Sequence, residues 1–454
     1  MQHIAHSRRN FLKAMAGTSV GLAFAGKLQP LAADTSVAAG GFAIKPLEKV
    51  RAAFIGVGGR GSGHLATMMS LEGVDIVALA DNYEPSLKAN LARVKDAGRK
   101  EPAAYGRGDL DYKRMLDRDD IDIVIIATPW EWHTRMCVDA MTAGKHAFTE
   151  VPAAVTLDEC WQLVDTSEKT HKHCMMMENC CYGREELFCL NLCRQGLLGE
   201  LLHGEAGYLH DLRGQMNDVQ HGTGSWRTWH YAKRNGNLYP THGLGPVAQY
   251  MGINRGDRFD YLSSVSSPAL GRPAFAKSHF PSDHQWNKIA NWNCGDMCTT
   301  IVKTALGRTI MVQWNETSPR PYSRINLIQG TRGIFAGYPP RLSIEGITPH
   351  GEEWVEGAKL EEFMKKYEHP LWKKMGELAT KGGGHGGMDW LMAWRMVDCL
   401  HRGEPLDQDV YDAAALSSVG PLSEKSIATR SQSVDVPDFT QGRWKSIKPL
   451  GIVG

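Results

Sequence analysis

Val50-Arg51-Ala52-Ala53-Phe54-Ile55-Gly56-Val57-Gly58-Gly59-Arg60-Gly61-Ser62-Gly63 decides the fold. The run from Val50 to Val57 is apolar and short enough for a buried strand, and glycines follow it at once. His64 to Leu71 then has helical spacing, so the order is strand, glycine turn, helix. Working outward, Val74 to Ala80 reads as a second buried strand ending at Asp81, and Ile121 to Ala127 as another, followed by Thr128-Pro129. His146 to Thr149 is a further strand, a helix is expected over Leu157 to Thr170, and another strand over His173 to Met177. Strands alternating with helices in this way predict a doubly wound parallel sheet of the Rossmann kind.

Beyond about residue 190 the pattern changes. Leu202 to Tyr208, Met297 to Val302, Thr309 to Trp314 and Ile325 to Gln329 are strand-like runs separated by turns. They predict a C-terminal α+β domain with an open, mainly antiparallel sheet and helices on one face. Met388 to His401 is an amphipathic helix whose apolar face carries Trp390, Leu391, Trp394, Val397 and Leu400. The expected organisation is an N-terminal leader over 1–33, a flexible lead over 34–48, a Rossmann domain over 49–185 and an α+β domain over 186–454.

Composition excludes several classes. The 454 residues are 42% hydrophobic and 22% charged, an ordinary globular balance. Lys plus Arg number 51 against 50 Asp plus Glu, so no basic excess draws in nucleic acid or an anionic membrane. The ten Cys form no CxxC pair and no zinc-type Cys/His array, which fits reduced, buried thiols and no metal. Ser7-Arg8-Arg9-Asn10-Phe11-Leu12-Lys13 matches the twin-arginine export pattern, and the mildly apolar stretch from Ala14 to Ala25 is too short to span a bilayer. Cleavage after Ala25 or after Ala33, and a periplasmic or secreted location, are the expectations that follow.

The glycines of Gly56-x-Gly58-x-x-Gly61 let the backbone approach a pyrophosphate, whose charge the helix N-terminus favours. Asp81 stands 20 residues after Gly61, where a carboxylate binds the ribose hydroxyls of the adenosine and repels a 2′-phosphate. The expected cofactor is therefore NAD. Thr128-Pro129-Trp130-Glu131-Trp132-His133 belongs at the carboxyl edge of the sheet, where such folds bind ligands.

Three segments, TPWEWH at 128–133, AGKHAF at 143–148 and the Glu150-Val151-Pro152 turn, resemble the glucose-fructose oxidoreductase and inositol dehydrogenase superfamily. Two departures matter. The Lys that handles the substrate proton in that superfamily is Val151 here, and of its Asp-x-Gly-x-His motif Leu238-Tyr239-Pro240-Thr241-His242 keeps the His alone. EVPA at 150–153, Glu178-Asn179, Trp226-Arg227-x-Trp229, YPTHGLGP at 239–246 and SPRPYSR around Tyr322 together resemble the NAD-dependent glycosidases of glycoside hydrolase family 109. The resemblance runs through nearly the whole chain.

It implies α-N-acetylgalactosaminidase activity with a tightly held NAD. Oxidation of the sugar at C3 acidifies the C2 proton, the C1 oxygen leaves by elimination, water adds to the double bond, and C3 is reduced again. Paired carboxylates, which ordinary glycosidases require, are then not needed. The resemblance places sugar contacts at Tyr208, Arg227, Tyr239, Pro240, Thr241, His242 and Tyr322. Cofactor contacts fall on Gly56, Gly58, Arg60, Gly61, Asp81, Trp130, Glu131, Trp132, His133, Glu150, Val151 and Asn179. His242 is the expected base on the 3-hydroxyl, since imidazole titrates near neutrality and Val151 does not. Tyr239 and Tyr322 are candidates for proton movements at C2 and the glycosidic oxygen, and Arg227 for orienting the sugar.

The Trp-rich set Trp226, Trp229, Trp286 and Trp292 suits either sugar stacking or core packing. His385, within the glycines of 382–387, suits either a pocket edge or a plain loop. Two other functions compete: a periplasmic sugar dehydrogenase, which would leave net redox products, and a non-catalytic sugar-binding protein, which would hold NAD without turnover. A homo-oligomer through the open sheet face is also expected.

Overall fold

The computed structural model describes residues 43–348, 352–449 and 451–452. The export motif and both cleavage positions lie outside the described residues.

The first sheet comprises β1 (Val50–Ile55), β2 (Val74–Ala80), β3 (Ala103–Tyr105), β4 (Ile123–Ile126), β5 (His146–Thr149) and β6 (Cys174–Met176). Its order is β3-β2-β1-β4-β5-β6, and every pair is parallel. All four side chains of β4, Ile-Val-Ile-Ile, are buried, as a strand covered by helices on both faces requires. The chain leaves β1 in one direction to build β2 and β3 and returns on its other side with β4, so the crevice for a ligand opens between the carboxyl ends of β1 and β4. The helix Leu157–Thr170 starts where the sequence places it, because Thr156 and Glu159 form a reciprocal capping box.

The second sheet has nine strands: β7 (Leu201–Leu209), β8 (Phe259–Ser266), β9 (Cys298–Thr304), β10 (Thr309–Asn315), β11 (Leu327–Gly330), β12 (Gly333–Ala336), β13 (Arg341–Ile344), β14 (Val355–Glu356) and β15 (Val434–Asp435). The order is β14-β13-β12-β11-β7-β10-β9-β8-β15, with β7 and β10 the one parallel pair in it. The α+β expectation holds. β11 begins at Leu327 rather than Ile325, because Ile325 and Asn326 adopt positive φ of 63° and 55° and leave the extended conformation.

Two helices join this sheet to the site. The helix Thr241–Met251 contains Gly243, Gly245 and Pro246, a composition that conceals it in sequence. A Cβ on Gly243 would lie 2.3 Å from the Gly207 amide nitrogen, so the glycine lets the helix rest directly on β7. The helix Val410–Ala428 is buried almost all round and packs against β6, β8 and the helix Leu157–Thr170, tying both sheets into one continuous apolar core. At the other end, the lead expected to be flexible over 34–48 is fixed where it approaches β1. The Ile44 and Leu47 amides donate to the carbonyls of Gly403 and Leu400.

Candidate active site

A cleft of about 520 Å³ runs along the carboxyl ends of β1, β2 and β4 and continues between the helices Thr223–Lys233 and Thr241–Met251. Its floor is the glycine turn. The helix Gly59–Met69 begins directly after Gly58 with no side-chain cap, which leaves its first-turn N–H groups for an anion. A Cβ on Gly61 would lie 1.9 Å from the Gly56 carbonyl oxygen, so Gly61 sets helix against strand, whereas nothing lies within 4 Å of a Cβ on Gly58, which lines the cleft. The two glycines therefore do different work: one packs, the other keeps the wall low for a phosphate.

Asp81 lies at the rim with its carboxylate fixed by two backbone donors, Val57 N–H to Oδ2 and Tyr83 N–H to Oδ1, both at 2.8 Å. Each oxygen keeps a further lone pair for a ribose hydroxyl. An uncapped helix end, a glycine wall and a preset carboxylate fit a dinucleotide lacking a 2′-phosphate.

Arg60 is engaged with protein groups. Its Nε donates to Glu150 Oε1 at 2.6 Å and its two terminal nitrogens to Asp389 at 2.8 and 3.0 Å. His64 also binds Glu150, at 2.5 Å. Burial opposes ionisation of Glu150 and Asp389, but Arg60 with His64 holds the first, and His385 with Arg60 the second, well below the usual carboxylate range. Asn179 Nδ2 donates to Asp389 Oδ1 at 2.6 Å, so Asp389 holds two of the expected cofactor contacts at once. His385 answers its open question: it lines the cleft and bonds Asp389 at 2.8 Å.

The far end of the cleft is aromatic. Tyr208, Tyr239 and His242 meet with centroids 4.8 to 5.2 Å apart. Arg227 is buried with its guanidinium over three rings: Trp130 at 4.9 Å, Trp226 at 5.4 Å and Tyr239 at 5.0 Å. Behind it the fully buried Glu316 stands 3.9 Å away and accepts from the Tyr231 hydroxyl. Val151 is buried in the cleft wall and offers no proton acceptor.

His242 occupies the first turn of its helix, and its Nδ1 lies 2.7 Å from Glu178 Oε1. Burial penalises the Glu178 charge, yet the His242 imidazole beside it keeps the carboxyl below its ordinary range. An ionised carboxylate only accepts, so Nδ1–H is the donor of this pair and Nε2 is the ring nitrogen left free of it. Nε2 lies 3.4 Å from the Tyr239 hydroxyl, on the cleft side. Burial drives the Tyr239 and Tyr208 phenols upward, so both remain hydroxyl donors near neutrality. Tyr322 does not line the cleft: it is 39% exposed beyond Tyr208, with ring centroids 6.0 Å apart, and its hydroxyl accepts from Arg324 at 3.1 Å. Burial pushes its pKa up to about 12.

Some expected contacts lie elsewhere. Glu131 is directed away from the cleft to His230, at 3.3 Å, because the helix Trp130–Thr142 turns that face toward the helix Thr223–Lys233. Pro240 and Thr241 are buried behind Tyr239 and His242, so they shape the helix start rather than the cleft wall. His133 reaches the cleft but spends both ring nitrogens on the carbonyls of Thr128 and Pro152, each at 2.7 Å, joining the end of β4 to the Glu150 turn. Trp226 lines the cleft, while Trp286 is fully buried with Trp292 packed against its cluster.

Glu178 and Asp389 are functional groups that sequence reasoning did not assign. The signal for Glu178 was a carboxylate two residues after the buried strand β6, at the carboxyl edge of the sheet. Asp389 carried none, since it reaches the glycine turn only through tertiary packing. Among the described residues, Glu178, Cys180 and His242 bring metal-ligand atom types within 4.8 Å of one another. Within this group Glu178 and His242 bond each other, and burial pushes the Cys180 thiol well up.

Residues 50–178 match the oxidoreductase family, NAD-binding Rossmann fold, and residues 182–446 match the glycosyl hydrolase 109 C-terminal domain. The chain is 54% identical to a protein of Shewanella oneidensis named alpha-N-acetylgalactosaminidase, over 98% of this chain and 99% of that one. It is 55% identical to glycosyl hydrolase family 109 protein 1 of Shewanella sp. (strain MR-4), with the same coverage. Among solved structures, levoglucosan dehydrogenase in complex with NADH and levoglucosan aligns with a TM-score of 0.66 at 18% identity, covering 86% of this chain and all of that one. An NAD binding oxidoreductase from Klebsiella pneumoniae gives 0.67 at 16% identity over the same share of this chain and likewise all of that one, and both establish the fold alone. With an NAD-binding Rossmann domain joined to that C-terminal domain, the chain belongs to glycosyl hydrolase family 109.

Proposed function

We propose that this enzyme hydrolyses terminal α-N-acetylgalactosaminides with a retained NAD that ends each turnover as it began. The observation that carries the reading is the His242–Glu178 pair: His242 lines the same cleft as Val151, which stands where a dehydrogenase of this superfamily would present its Lys. Bound NAD supplies a reversible two-electron oxidation at C3 of the sugar. His242 Nε2 takes the proton of the 3-hydroxyl, and its Nδ1–H donates to Glu178, which stabilises the imidazolium as it forms. Arg227, its charge supported by Glu316 and three rings, holds the sugar through its rigid donor fork.

With a carbonyl at C3 the C2 proton becomes acidic. We assign its removal to the phenolate of Tyr322, a minor form near neutrality that the Arg324 guanidinium supports by donating to its oxygen. Tyr239 donates to the departing C1 oxygen and regains a proton from the water that adds at C1, Tyr322 returns a proton to C2 after exchange with solvent, and His242 returns its proton as C3 is reduced. Atoms and electrons balance over the cycle to a cleaved glycoside.

The relative named alpha-N-acetylgalactosaminidase supports the choice of sugar. Purified protein without added cofactor is expected to release nitrophenol from 4-nitrophenyl α-N-acetylgalactosaminide. The β-anomer and gluco epimer serve as comparators. No release from any of the three, with NADH accumulating on free sugars, would instead make it a dehydrogenase. Export through the twin-arginine pathway is part of the proposal and rests on Ser7 to Lys13 alone. A homo-oligomer through the second sheet is supported by exposed Tyr261, Val265 and Ile301 on one face of β8 and β9.

A further inference from the structure

The end of the cleft farthest from the sugar groups is unusual for an open sheet edge, because the C-terminal half reaches over it. Asp81, Asn82, Tyr105 and Asp109 line this end from the first sheet, and His221 lines it from the segment that leads into the helix Thr223–Lys233. Tyr83 stands two residues after Asp81, and its ring stacks on His221 with centroids 3.8 Å apart and planes 20° from parallel. Tyr83 is 40% exposed and does not itself line the cleft, so it backs the His221 ring from outside.

The turn that presents His221 is tightly built. Gly222 has a φ of +98°, and the Gly224 amide donates to Asp218 Oδ2 at 3.3 Å. A Cβ on Gly224 would lie 1.6 Å from the Gln215 carbonyl oxygen. The backbone thus has one compact path here, and a ring at 221 is carried to the rim and clamped there by Tyr83.

We propose that His221, backed by Tyr83, is the adenine subsite of the cofactor cleft and the contact that closes its adenosine end. The ribose carboxylate, Asp81, fixes where the adenosine must lie, and an aromatic face beside that position is the surface on which a base stacks. The same segment carries Arg227 six residues later, so one element of the C-terminal half serves both ends of the site. The inference rests on the NAD reading given above and extends it to residues that no motif marked.

The test uses the holoenzyme. NADH-loaded protein is freed of excess cofactor and chased with NAD, and release is followed by nicotinamide fluorescence. His221→Ala is expected to release cofactor about 5- to 150-fold faster, the range for loss of one base–aromatic stack. Tyr83→Ala should also accelerate release, and His221→Phe should restore the slow rate. Affinity for nicotinamide mononucleotide, which has no adenosine, should be the same in all four proteins. Release within twofold of the parent in both alanine variants overturns the proposal, as does an equal loss of mononucleotide affinity, which would mark a general structural defect. Both altered residues are exposed, and a melting temperature within a few degrees of the parent confirms that the variants fold. Absence of glycoside turnover by the parent holoenzyme would count against the glycosidase reading, not against this subsite.

Discussion

Glu178→Gln probes the catalytic pair with little change of shape. Glu178 is fully buried, and its Oε1 lies 2.7 Å from His242 Nδ1. Glutamine keeps an oxygen there to accept from Nδ1–H but removes the charge that stabilises the imidazolium formed when Nε2 takes the substrate proton. A hydrogen bond to a charged group contributes about 1.5–3 kcal/mol against about 1 for a neutral one. The Coulomb term for unit charges about 4 Å apart at an effective dielectric of about 20 is about 4 kcal/mol. The imidazolium therefore loses about 2–4 kcal/mol, and the half-reaction should slow about 30- to 1000-fold. A single-turnover measurement of nicotinamide reduction upon mixing with substrate reads this step directly, with bound NAD and melting temperature recorded alongside. A folded, NAD-loaded Glu178→Gln protein whose half-reaction stays within threefold of the parent would refute the role given to the pair.

The two glycines of the turn should separate cleanly: Gly61→Ala forces a Cβ against the Gly56 carbonyl and should lower stability by at least about 1–3 kcal/mol in denaturant titration, whereas Gly58→Ala should fold normally but lose NAD faster. Arg227→Lys keeps the charge but not the fork or its stacking, so KM should rise about tenfold or more while the bound NAD content, measured after gel filtration, stays unchanged. Acid should destabilise the fold through Glu150, Glu178 and Asp389, whose carboxyls are all held below their unfolded values. Their stabilisation is complete above the unfolded pKa of about 4 and is lost as pH falls toward the folded values, so melting temperature should drop steeply below about pH 4. Asp389→Asn should flatten that drop, and an unchanged profile would remove Asp389 from it.

Much of the first sheet was legible because its strands are apolar runs bounded by glycines, and Gly56 to Gly61 fixed where the cofactor enters. β3 escaped because Ala-Ala-Tyr is too short to carry a period. The helix Thr241–Met251 was hidden for a physical reason: the glycines that lower helix propensity are those that let it touch β7 and Glu178. The helix Val410–Ala428 has no polar face to reveal a period, being buried on nearly every side. In the site, most residues recognised by chain position line the cleft, but Tyr322, Pro240, Thr241 and Glu131 do not, and directions were not readable. Glu131 points out of it, Arg60 spends its donors on Glu150 and Asp389, and His242 has its Nδ1 engaged by a carboxylate 64 residues away in sequence.

The central claim is that cleavage proceeds through the acidified C2 position rather than by displacement at C1. Turnover of an α-N-acetylgalactosaminide in D2O, followed by mass spectrometry and proton NMR of the released sugar, tests it most directly. The account predicts deuterium at C2 of the product, introduced by the proton return that follows water addition, with no net change in nicotinamide redox state. Efficient cleavage with the C2 position still fully protonated would contradict it.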